Sequence, residues 1–588
     1  MRRLVFLTLP FACLLVVQAA YAQFEPMYST TLGLETENNT PACTTSFAPF
    51  YCYLPATYEP PLSTSATNAD DGAQTTIVDA VGHIASTPPI ALIGSLMPDV
   101  SGQPWAGEVI CEYQPWFSAY DHSSWGGAVN PYNGHKDIGY DEDIYDATNN
   151  PLANSSAPTQ DGAMINQGCN IDIVDFYGFI EASQDFNQET TTSSVYVDLA
   201  NRYNQNTGTY PMQFAIMEDK GAFQTECNAS VSNTAEETCI ENALESDMAS
   251  IYADYVDNPN YHAGLYWTDN GVNVVAIFAS CSDFSPSATP PGKLVCLPNS
   301  NNEDDWQTIW TYLMNTVGLG AQYNMKFIFE YGNFGYPEYA SSGEFAWPQP
   351  SGDGFANYTE TQFWWCDSGG LPCNGEGSGS GSYLDRFYTD AVGAVQTGQV
   401  AIGLLYKGFD DSNASWGSDR VIAQQCGQVL LDTANELTYE ANPDNISYWA
   451  SHKMPYMQVA TWNDYEEGTE VESGISNCYD GVTDLIVEPQ GESGGSPTLE
   501  WSLSATGAAN VGGVEYATSN TINNFTIWVA PQSQPDNISV YKTVSGTQHS
   551  YYPFTPDLPA GNYYVYVEMV GKPMIQNAMS SGLGFSVP

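Results

Sequence analysis

Four carboxylates stand close together in one short stretch of the sequence, TWNDYEEGTE, which runs from Thr461 to Glu470. The stretch follows the apolar segment MPYMQVA, so the acids begin where a buried strand is expected to end. Two carboxyl groups held together in a water-poor site can occupy different protonation states, because like charges push their pKa values apart. The pattern therefore indicates a general acid paired with a general base. A solvated acidic loop is the alternative interpretation.

Asp464 and Glu467 are the predicted pair. Asp464 falls at the expected end of the strand, and Glu467 follows three residues later. Residues three apart on an extended strand face opposite ways, so the interpretation requires the chain to turn at Tyr465. With that turn, both side chains can point into one cavity. Hydrolysis of a glycosidic bond needs this combination, one protonated carboxyl and one ionised carboxyl.

The elements that would position this pair come from a repeating pattern that begins near residue 106. Short apolar runs alternate with longer segments of helical spacing, as in parallel strands covered on both faces. The spacing predicts helices over residues 235–256, 304–319 and 417–440, among others. The runs are VICEYQPWF (109–117), IDIVDFYGF (171–179), MQFAIMED (212–219), VNVVAIFA (272–279), MKFIFEY (325–331), GEFAWP (343–348), VAIGLLY (400–406) and YMQVATWND (456–464). The pattern predicts an α/β fold, a (β/α)8 TIM-type barrel. A doubly wound sheet is the alternative, but no glycine-rich phosphate loop follows the first run.

Residues at the strand ends are the candidates for substrate contact, because barrel chemistry gathers at the carboxyl ends of the strands. Carboxylates that end apolar strands need a partner or a solvated cleft, and aromatic rings can stack on sugars. Core packing explains any single one of them equally well. The predicted substrate contacts are Glu218, Asp219, Trp116, Glu330, Trp347, Trp462, Asn463 and Tyr465.

The segment from Met457 to Glu472 resembles the signature shared by glycoside hydrolase families 71 and 99. Its WNDY is similar to the first family, which contains α-1,3-glucanases. Its EGTEVE is similar to the second, which contains endo-acting α-mannosidases and α-mannanases. The resemblance implies a barrel glycosidase with Asp464 and Glu467 as catalytic couple and a further carboxylate from the third strand. It leaves open whether the substrate is a glucan or a mannan, and which acid donates the proton.

The remaining sequence divides into segments of distinct character. Residues 1–22 read as a secretory signal peptide, with two arginines, an apolar core and a small-x-small cleavage site. Residues 23–105 read as an N-terminal extension, and 106–486 as the catalytic barrel. Residues 487–588 show strand-period alternation without helical spacing, which predicts an immunoglobulin- or fibronectin-like β-sandwich.

Cysteine usage agrees with export. Removing Cys13 of the signal leaves 12 of the 13 cysteines, an even number that favours disulfides in a secreted protein. The candidate pairs, taken from closeness in sequence, are Cys43 with Cys52, Cys227 with Cys239, Cys281 with Cys296, and Cys366 with Cys373. Paired CxxC motifs are missing and the six histidines are scattered, so we expect no metal and no cofactor.

The net charge of the chain limits the kinds of molecule that it can bind. The chain has 68 acidic and 13 basic residues, a formal net charge of −55, which repels nucleic acid and anionic membranes and suits a neutral polysaccharide. Depletion of Lys and Arg predicts an acidic activity optimum, and no segment after the signal is apolar enough to span a membrane.

The functional hypothesis from the sequence is a secreted endo-α-glycosidase. The alternative is a non-catalytic carbohydrate-binding or cell-surface protein on a glycosidase-like barrel. The oligomeric state stays open.

Overall fold

A computed structural model of the 588-residue chain provides the structure. The predicted signal peptide and most of the predicted N-terminal extension lie outside the residues that it describes. The described residues are 52–53, 77–78, 84–85, 93–97, 105–114, 164–165, 167–176, 212–219, 227, 233–258, 264–279, 305–331, 342–347, 383–410, 421–422, 424–435, 448–449, 454–464, 467–471, 475, 479–488, 497–505, 510–511, 514–515, 519–534, 539–554, 558–575, 578–580 and 582–588.

Eight parallel strands form a closed barrel. In chain order they are β1 (Glu108–Tyr113), β2 (Ile171–Phe176), β3 (Gln213–Asp219), β4 (Val272–Phe278), β5 (Met325–Glu330), β6 (Gly343–Phe345), β7 (Val400–Leu405) and β8 (Tyr456–Val459). Their order is β3-β2-β1-β8-β7-β6-β5-β4, and the parallel pairing of β3 with β4 closes the ring. Each predicted apolar run contains one of these strands, so the predicted barrel is confirmed.

The strands are continuous apolar runs because both of their faces are covered. Every residue of β2 and of β7 is buried, and the inner and outer layers belong to one core. The described helices are α1 (Asn233–Ile251), α2 (Asp305–Tyr312), α3 (Leu319–Tyr323), α4 (Tyr383–Thr397) and α5 (Gln428–Asn435). Turns of π-helix, Tyr252–Val256 and Leu313–Val317, continue α1 and α2, and 3-10 turns lie at Ile93–Leu96, Gln425–Gly427 and Ser519–Thr521.

The helix expected over residues 417–440 is wrong in its first half. Val421–Ile422 instead pairs antiparallel with Phe409–Asp410, and helix α5 begins only at Gln428. Gly427 has a φ of 85°, and a Cβ added there would lie 2.6 Å from a side-chain carbon of Ile575. The left-handed backbone and this close approach break the helical run that the spacing suggests.

A separate antiparallel β-sandwich follows the barrel, as predicted. Its strands are β9 (Tyr479–Glu488), β10 (Thr498–Ala505), β11 (Ile522–Pro531), β12 (Ser539–Ser545), β13 (Ser550–Tyr551), β14 (Gly561–Gly571), β15 (Ala578–Met579) and β16 (Leu583–Val587). One sheet is β9-β10-β13, and the other is β12-β11-β14-β15 with β16 also on β14. The two sheets enclose their own apolar core, which includes Trp501 and Phe525. The predicted domain boundaries stay predictions.

Other described strands are only two residues long. Three of them form a small antiparallel sheet within the predicted N-terminal extension, and Thr268–Asp269 pairs with β4. The three strands of that small sheet are Cys52–Tyr53, Ile77–Val78 and Ile84–Ala85, and Asn510–Val511 pairs antiparallel with Val514–Glu515.

Two disulfides are present among the described residues. Cys227–Cys239 confirms one predicted pair. Cys111–Cys169 joins β1 to the residues before β2; its cysteines are 58 residues apart, and closeness in sequence had assigned neither of them a partner. Because adjacent barrel strands bring distant residues together, closeness in sequence does not find such a pair. Cys426 is disulfide-bonded as well.

The other three predicted disulfides are not among those that the structure shows. The side chains of all six cysteines lie outside the described residues, so the pairings stay predictions: Cys43 with Cys52, Cys281 with Cys296, and Cys366 with Cys373. In the part of the chain that the structure describes, none of the helices has the length and apolarity that a membrane crossing requires.

The close approach of β6 to β7 predicts the effect of one substitution. A Cβ added at Gly343 would lie 2.2 Å from the backbone oxygen of Val400, so Gly343→Ala should lower the free energy of unfolding by about 1–3 kcal/mol. Gly393 in α4 has open space, and Gly393→Ala should raise that energy by up to about 1 kcal/mol. Urea unfolding followed by near-UV circular dichroism measures both, and equal stability of the two variants would contradict the barrel register.

Candidate active site

The loop after β8 folds back on itself. Its outgoing arm begins at Thr461, whose backbone N–H donates to the oxygen of Thr469 on the returning arm at 3.2 Å. Val471 N–H donates to Trp462 O at 2.9 Å, and Thr469 N–H donates to Asp464 O at 3.1 Å. The Thr461 hydroxyl accepts from Asp464 N–H at 2.8 Å. These bonds hold the two arms together and fix the position of the turn between them.

The turn carries Asp464 and Glu467, here named the acidic couple. Glu467 N–H donates to Asp464 Oδ1 at 3.0 Å, and Gly468 then reverses the chain with a φ of 60°. Asp464 is buried and Glu467 is half-buried. Both charges act on the same two neighbours, Glu112 and Asp175, whose pKa values they raise. The chain turn that the sequence interpretation requires therefore brings both carboxylates to one cluster.

Glu112 lies at the end of β1, fully buried beside the acidic couple. Gln114 Nε2 donates to its Oε1 at 3.2 Å, and Gln458 Nε2 donates to its Oε2 at 3.1 Å. Burial is the main cause that raises the pKa of Glu112 well above its usual range, and the charges of Asp175 and then of the couple add to it. The hydrogen bond from Gln458 acts in the opposite direction. These causes favour a neutral Glu112.

Asp175, near the end of β2, and Asp219, at the end of β3, extend the cluster across the barrel mouth. Burial, then the charge of Asp219, then that of Asp464 raise the pKa of Asp175 well above its usual range, whereas a hydrogen bond from Gln114 lowers it. Among the described residues, no group of three or more His, Cys, Asp or Glu is arranged to hold a metal ion. The mouth thus gathers carboxyls from β1, β2, β3 and the β8 loop.

The predicted contacts Trp347 and Glu330 lie on the barrel-facing side of neighbouring strands. The strand register pairs Phe345 with Glu330, so these two residues face the same side. Trp347 follows Phe345 by two residues and therefore faces that side as well. The Trp347 ring meets the Phe278 ring edge-on at a centroid distance of 4.9 Å. Trp347 is only 5% exposed, whereas Glu330 is half-buried. Both residues line the interior near the carboxyl end, Trp347 with little free surface.

The predicted contacts Trp462 and Asn463 are fully buried beneath the loop. The Trp462 N–H donates to the backbone oxygen of Glu112 at 2.7 Å. The Asn463 side chain accepts from Gln114 N–H at 2.8 Å and donates to Gln114 O at 3.0 Å. These bonds tie the loop to the end of β1, so both residues position the acidic couple and present no surface of their own to a ligand.

Glu218 is placed on the outer side of β3, which corrects its predicted role. Neighbouring residues of a strand face opposite sides, so Glu218 and Asp219 cannot both point into the barrel. Asp219 acts on Asp175 across the mouth, whereas Glu218 is fully buried opposite Asp247 of α1. Burial first and the charge of Asp247 second raise the pKa of Glu218 well above its usual range. The predicted contacts Trp116 and Tyr465 lie outside the described residues.

The predicted site omitted four side chains that the structure brings to the acidic couple. Glu112 and Asp175 each stand at the end of an apolar strand, the same signal that selected Glu218 and Glu330. That signal alone does not say which strand-end acids converge. Gln114 and Gln458 carry no sequence signal, because a single amide has meaning only once its partner is known.

Comparisons with known proteins return distant similarities only. No protein-family model matches the chain, and neither does any curated protein. Among solved structures, a GH99 endo-alpha-mannosidase from Bacteroides thetaiotaomicron is similar at 13% identity, over 63% of this chain and 88% of that one, with a TM-score of 0.36. A protein described as glycoside hydrolase-like is similar at 11% identity, over 66% and 89%, with a TM-score of 0.31. Similarities at these values assign neither a family nor an activity.

The buried acids predict that stability falls as pH rises. The pKa of Glu218 is raised in the folded state, so its contribution is complete below its unfolded pKa and is lost as pH rises through the folded value. Between those two pKa values, the free energy of unfolding should fall by about 1.4 kcal/mol per pH unit for this one group. Glu218→Gln should therefore flatten the fall that begins above about pH 4, the ordinary pKa of a glutamate.

Denaturant unfolding at a series of pH values measures this effect, with Glu500→Gln as the control because Glu500 is exposed on strand β10. The control should follow the wild-type curve. A wild-type stability that rises from pH 4 to pH 8, or a Glu218→Gln curve parallel to it, would contradict the buried neutral acid.

Proposed function

We propose that the chain is a secreted glycoside hydrolase that cleaves a neutral α-linked polysaccharide within the chain, an α-1,3-glucan or an α-mannan. The observation that carries the proposal is the loop turn that directs Asp464 and Glu467 toward one carboxyl cluster at the barrel mouth. Glycosidic hydrolysis needs two carboxyls of different protonation state beside one bond. The motif resemblance at the same residues supports the α-linked class.

The surroundings of the two acids favour different roles for them. Asp464 accepts the backbone N–H of Glu467 and is nearly buried, and a hydrogen bond to a carboxylate oxygen stabilises the ionised form. We assign Asp464 as the base or nucleophile. Glu467 is the more exposed member of the couple, so its side chain can reach the leaving oxygen, and we assign it as the proton donor.

The neighbouring acids favour an activity maximum at low pH for the acidic couple. Glu112 and Asp175 are buried beside it and favour their neutral forms, which limits the total negative charge at the mouth. As pH rises, ionisation within the cluster adds like charges that the buried site solvates poorly. The net charge of −55 repels anionic polymers in the same range, so the substrate we propose carries no charge.

Export is part of the proposal and has its own support. The two disulfides among the described residues fit an oxidising compartment, and the sequence begins with a signal-like segment.

A polysaccharide panel tests the activity directly. Residues 23–588 should release oligosaccharides from either α-1,3-glucan or α-mannan and from none of the β-glucans, with a maximum below pH 7. Glu467→Gln and Asp464→Asn should each lower the rate by at least about 100-fold, because each removes one member of the acid–base couple. Product analysis by mass spectrometry measures the release.

Glu108→Gln is the matched control, since Glu108 begins β1 at the opposite end of the barrel. It should retain wild-type activity. Saturable binding to one polymer without any product would favour a non-catalytic carbohydrate-binding barrel. Full activity in Glu467→Gln would remove the couple from the mechanism.

A further inference from the structure

A fully buried ion pair ties the acidic loop to strand β7. Lys407 Nζ lies 2.6 Å from Glu470 Oε1, and neither side chain has exposed surface. Lys407 follows the end of β7 by two residues. Glu470 sits on the returning arm of the loop, three residues after Glu467. The chain has only 13 basic residues, so the burial of one of them at this position is unusual and calls for a functional reason.

Stability is a weak explanation for this pair. Burying two charges costs desolvation energy that their attraction roughly offsets, and a hydrophobic pair of similar volume often serves equally well. Removing one partner alone is different, because it leaves an uncompensated charge in the interior. The ion pair therefore fixes the relative position of the two segments that it joins, the loop after β8 and the end of β7, more than it adds to the free energy of folding.

The arrangement that it specifies is the position of the acidic couple. Glu470 lies between Thr469 and Val471, whose backbone bonds join the returning arm to the outgoing arm. Holding Glu470 against β7 therefore holds both arms and the turn between them. On its other side the loop is attached through Asn463, whose side chain forms two hydrogen bonds with the backbone of Gln114, just beyond the end of β1. Because β1 and β7 are the two neighbours of β8, the loop is fastened on both sides of the strand that carries it.

The positive charge of Lys407 has a second effect on the loop, in addition to fixing its position. Asp464, Glu467 and Glu470 are three acids in one short loop, and the loop lies beside a buried acidic cluster. Lys407 compensates the charge of Glu470 and holds its side chain toward β7. Removing Lys407 would take this cation away from a buried carboxylate, which is costly and would favour an outward movement of the arm.

We propose that the Lys407–Glu470 ion pair is a positioning device for the proposed catalytic couple, needed for turnover more than for folding. The inference rests on the proposed glycosidase function. Neither residue contacts the reacting bond. Both act through the loop geometry that places Asp464 and Glu467.

The test separates positioning from folding with a neutral double variant. Lys407→Met should lower the melting temperature, because it removes the countercharge of Glu470. Lys407→Met combined with Glu470→Gln should recover most of that loss, yet its kcat on the cleaved oligosaccharide should stay at least about 10-fold below wild type, because the couple is misplaced. KM should change less than kcat. A double variant with wild-type kcat would overturn the proposal.

The matched control is Lys326→Met, which breaks the ion pair between Lys326 and Asp269. Lys326 lies near the start of β5, at the barrel end opposite the acidic couple. This variant should lose melting temperature and keep its kcat. The control pair is partly exposed, with side chains 11% and 16% exposed. A kcat loss as large as that of the double variant would show that any broken ion pair of the barrel slows turnover, which would also overturn the proposal.

Hydrogen exchange gives a readout that does not depend on activity. In the double variant, the amides of Trp462, Thr469 and Val471 should exchange at least about 10-fold faster, because opening of the loop becomes easier. The amides of β7 should not change. If the wild-type chain releases no product, the glycosidase proposal fails and the exchange rates alone decide whether the pair holds the loop. Unchanged loop exchange would overturn the positioning role.

Discussion

The mutual repulsion of carboxyl groups buried at one end of the barrel is the constraint on which the site depends. Acids from β1, β2, β3 and the β8 loop act on one another there, and burial opposes the ionisation of Glu112 and Asp175. Such a cluster can persist only with some of its members neutral. Neutral acids beside an ionisable couple are the condition under which one carboxyl keeps a proton while another gives it up. The same constraint is the physical basis of the acidic working range that we propose.

The barrel supplies the rigidity that this cluster needs. Closure of the ring through β3 and β4 fixes the strand ends relative to one another, so acids far apart in sequence arrive at one mouth. The β8 loop is then fastened to both neighbouring strands, by Asn463 to the end of β1 and by Glu470 to the end of β7. Carboxylates on an unfastened loop would relax apart under their own repulsion. The buried amides and the ion pair oppose that relaxation.

The sequence predicted the barrel well, because its signal is repeated and local. Eight apolar runs of strand length, each buried on both faces, are recognisable without knowing their partners. The closeness of Asp464 to Glu467 was predictable for a similar reason, since both acids lie within four residues at one strand end. The turn that unites them is also local.

What the sequence did not predict depends on side-chain direction and distant partners. Glu218 and Asp219 are adjacent, and only the barrel register decides that Asp219 faces the mouth while Glu218 meets Asp247. Trp462 and Asn463 look like ligand contacts beside two acids, yet their hydrogen bonds go to β1, 349 residues away in the case of Asn463. The helix expected over 417–440 failed where Gly427 adopts a left-handed backbone against the distant Ile575.

The most direct measurement of the central claim is a crystal structure of Glu467→Gln soaked with the oligosaccharide that the wild-type chain cleaves. The account predicts a sugar chain across the barrel mouth, with its intact glycosidic oxygen within hydrogen-bonding distance, about 3 Å, of the residue 467 side chain. Asp464 should lie near the anomeric carbon of the same bond. Sugar bound only on the sandwich, or at the mouth with both residues turned away from the linkage, would contradict it.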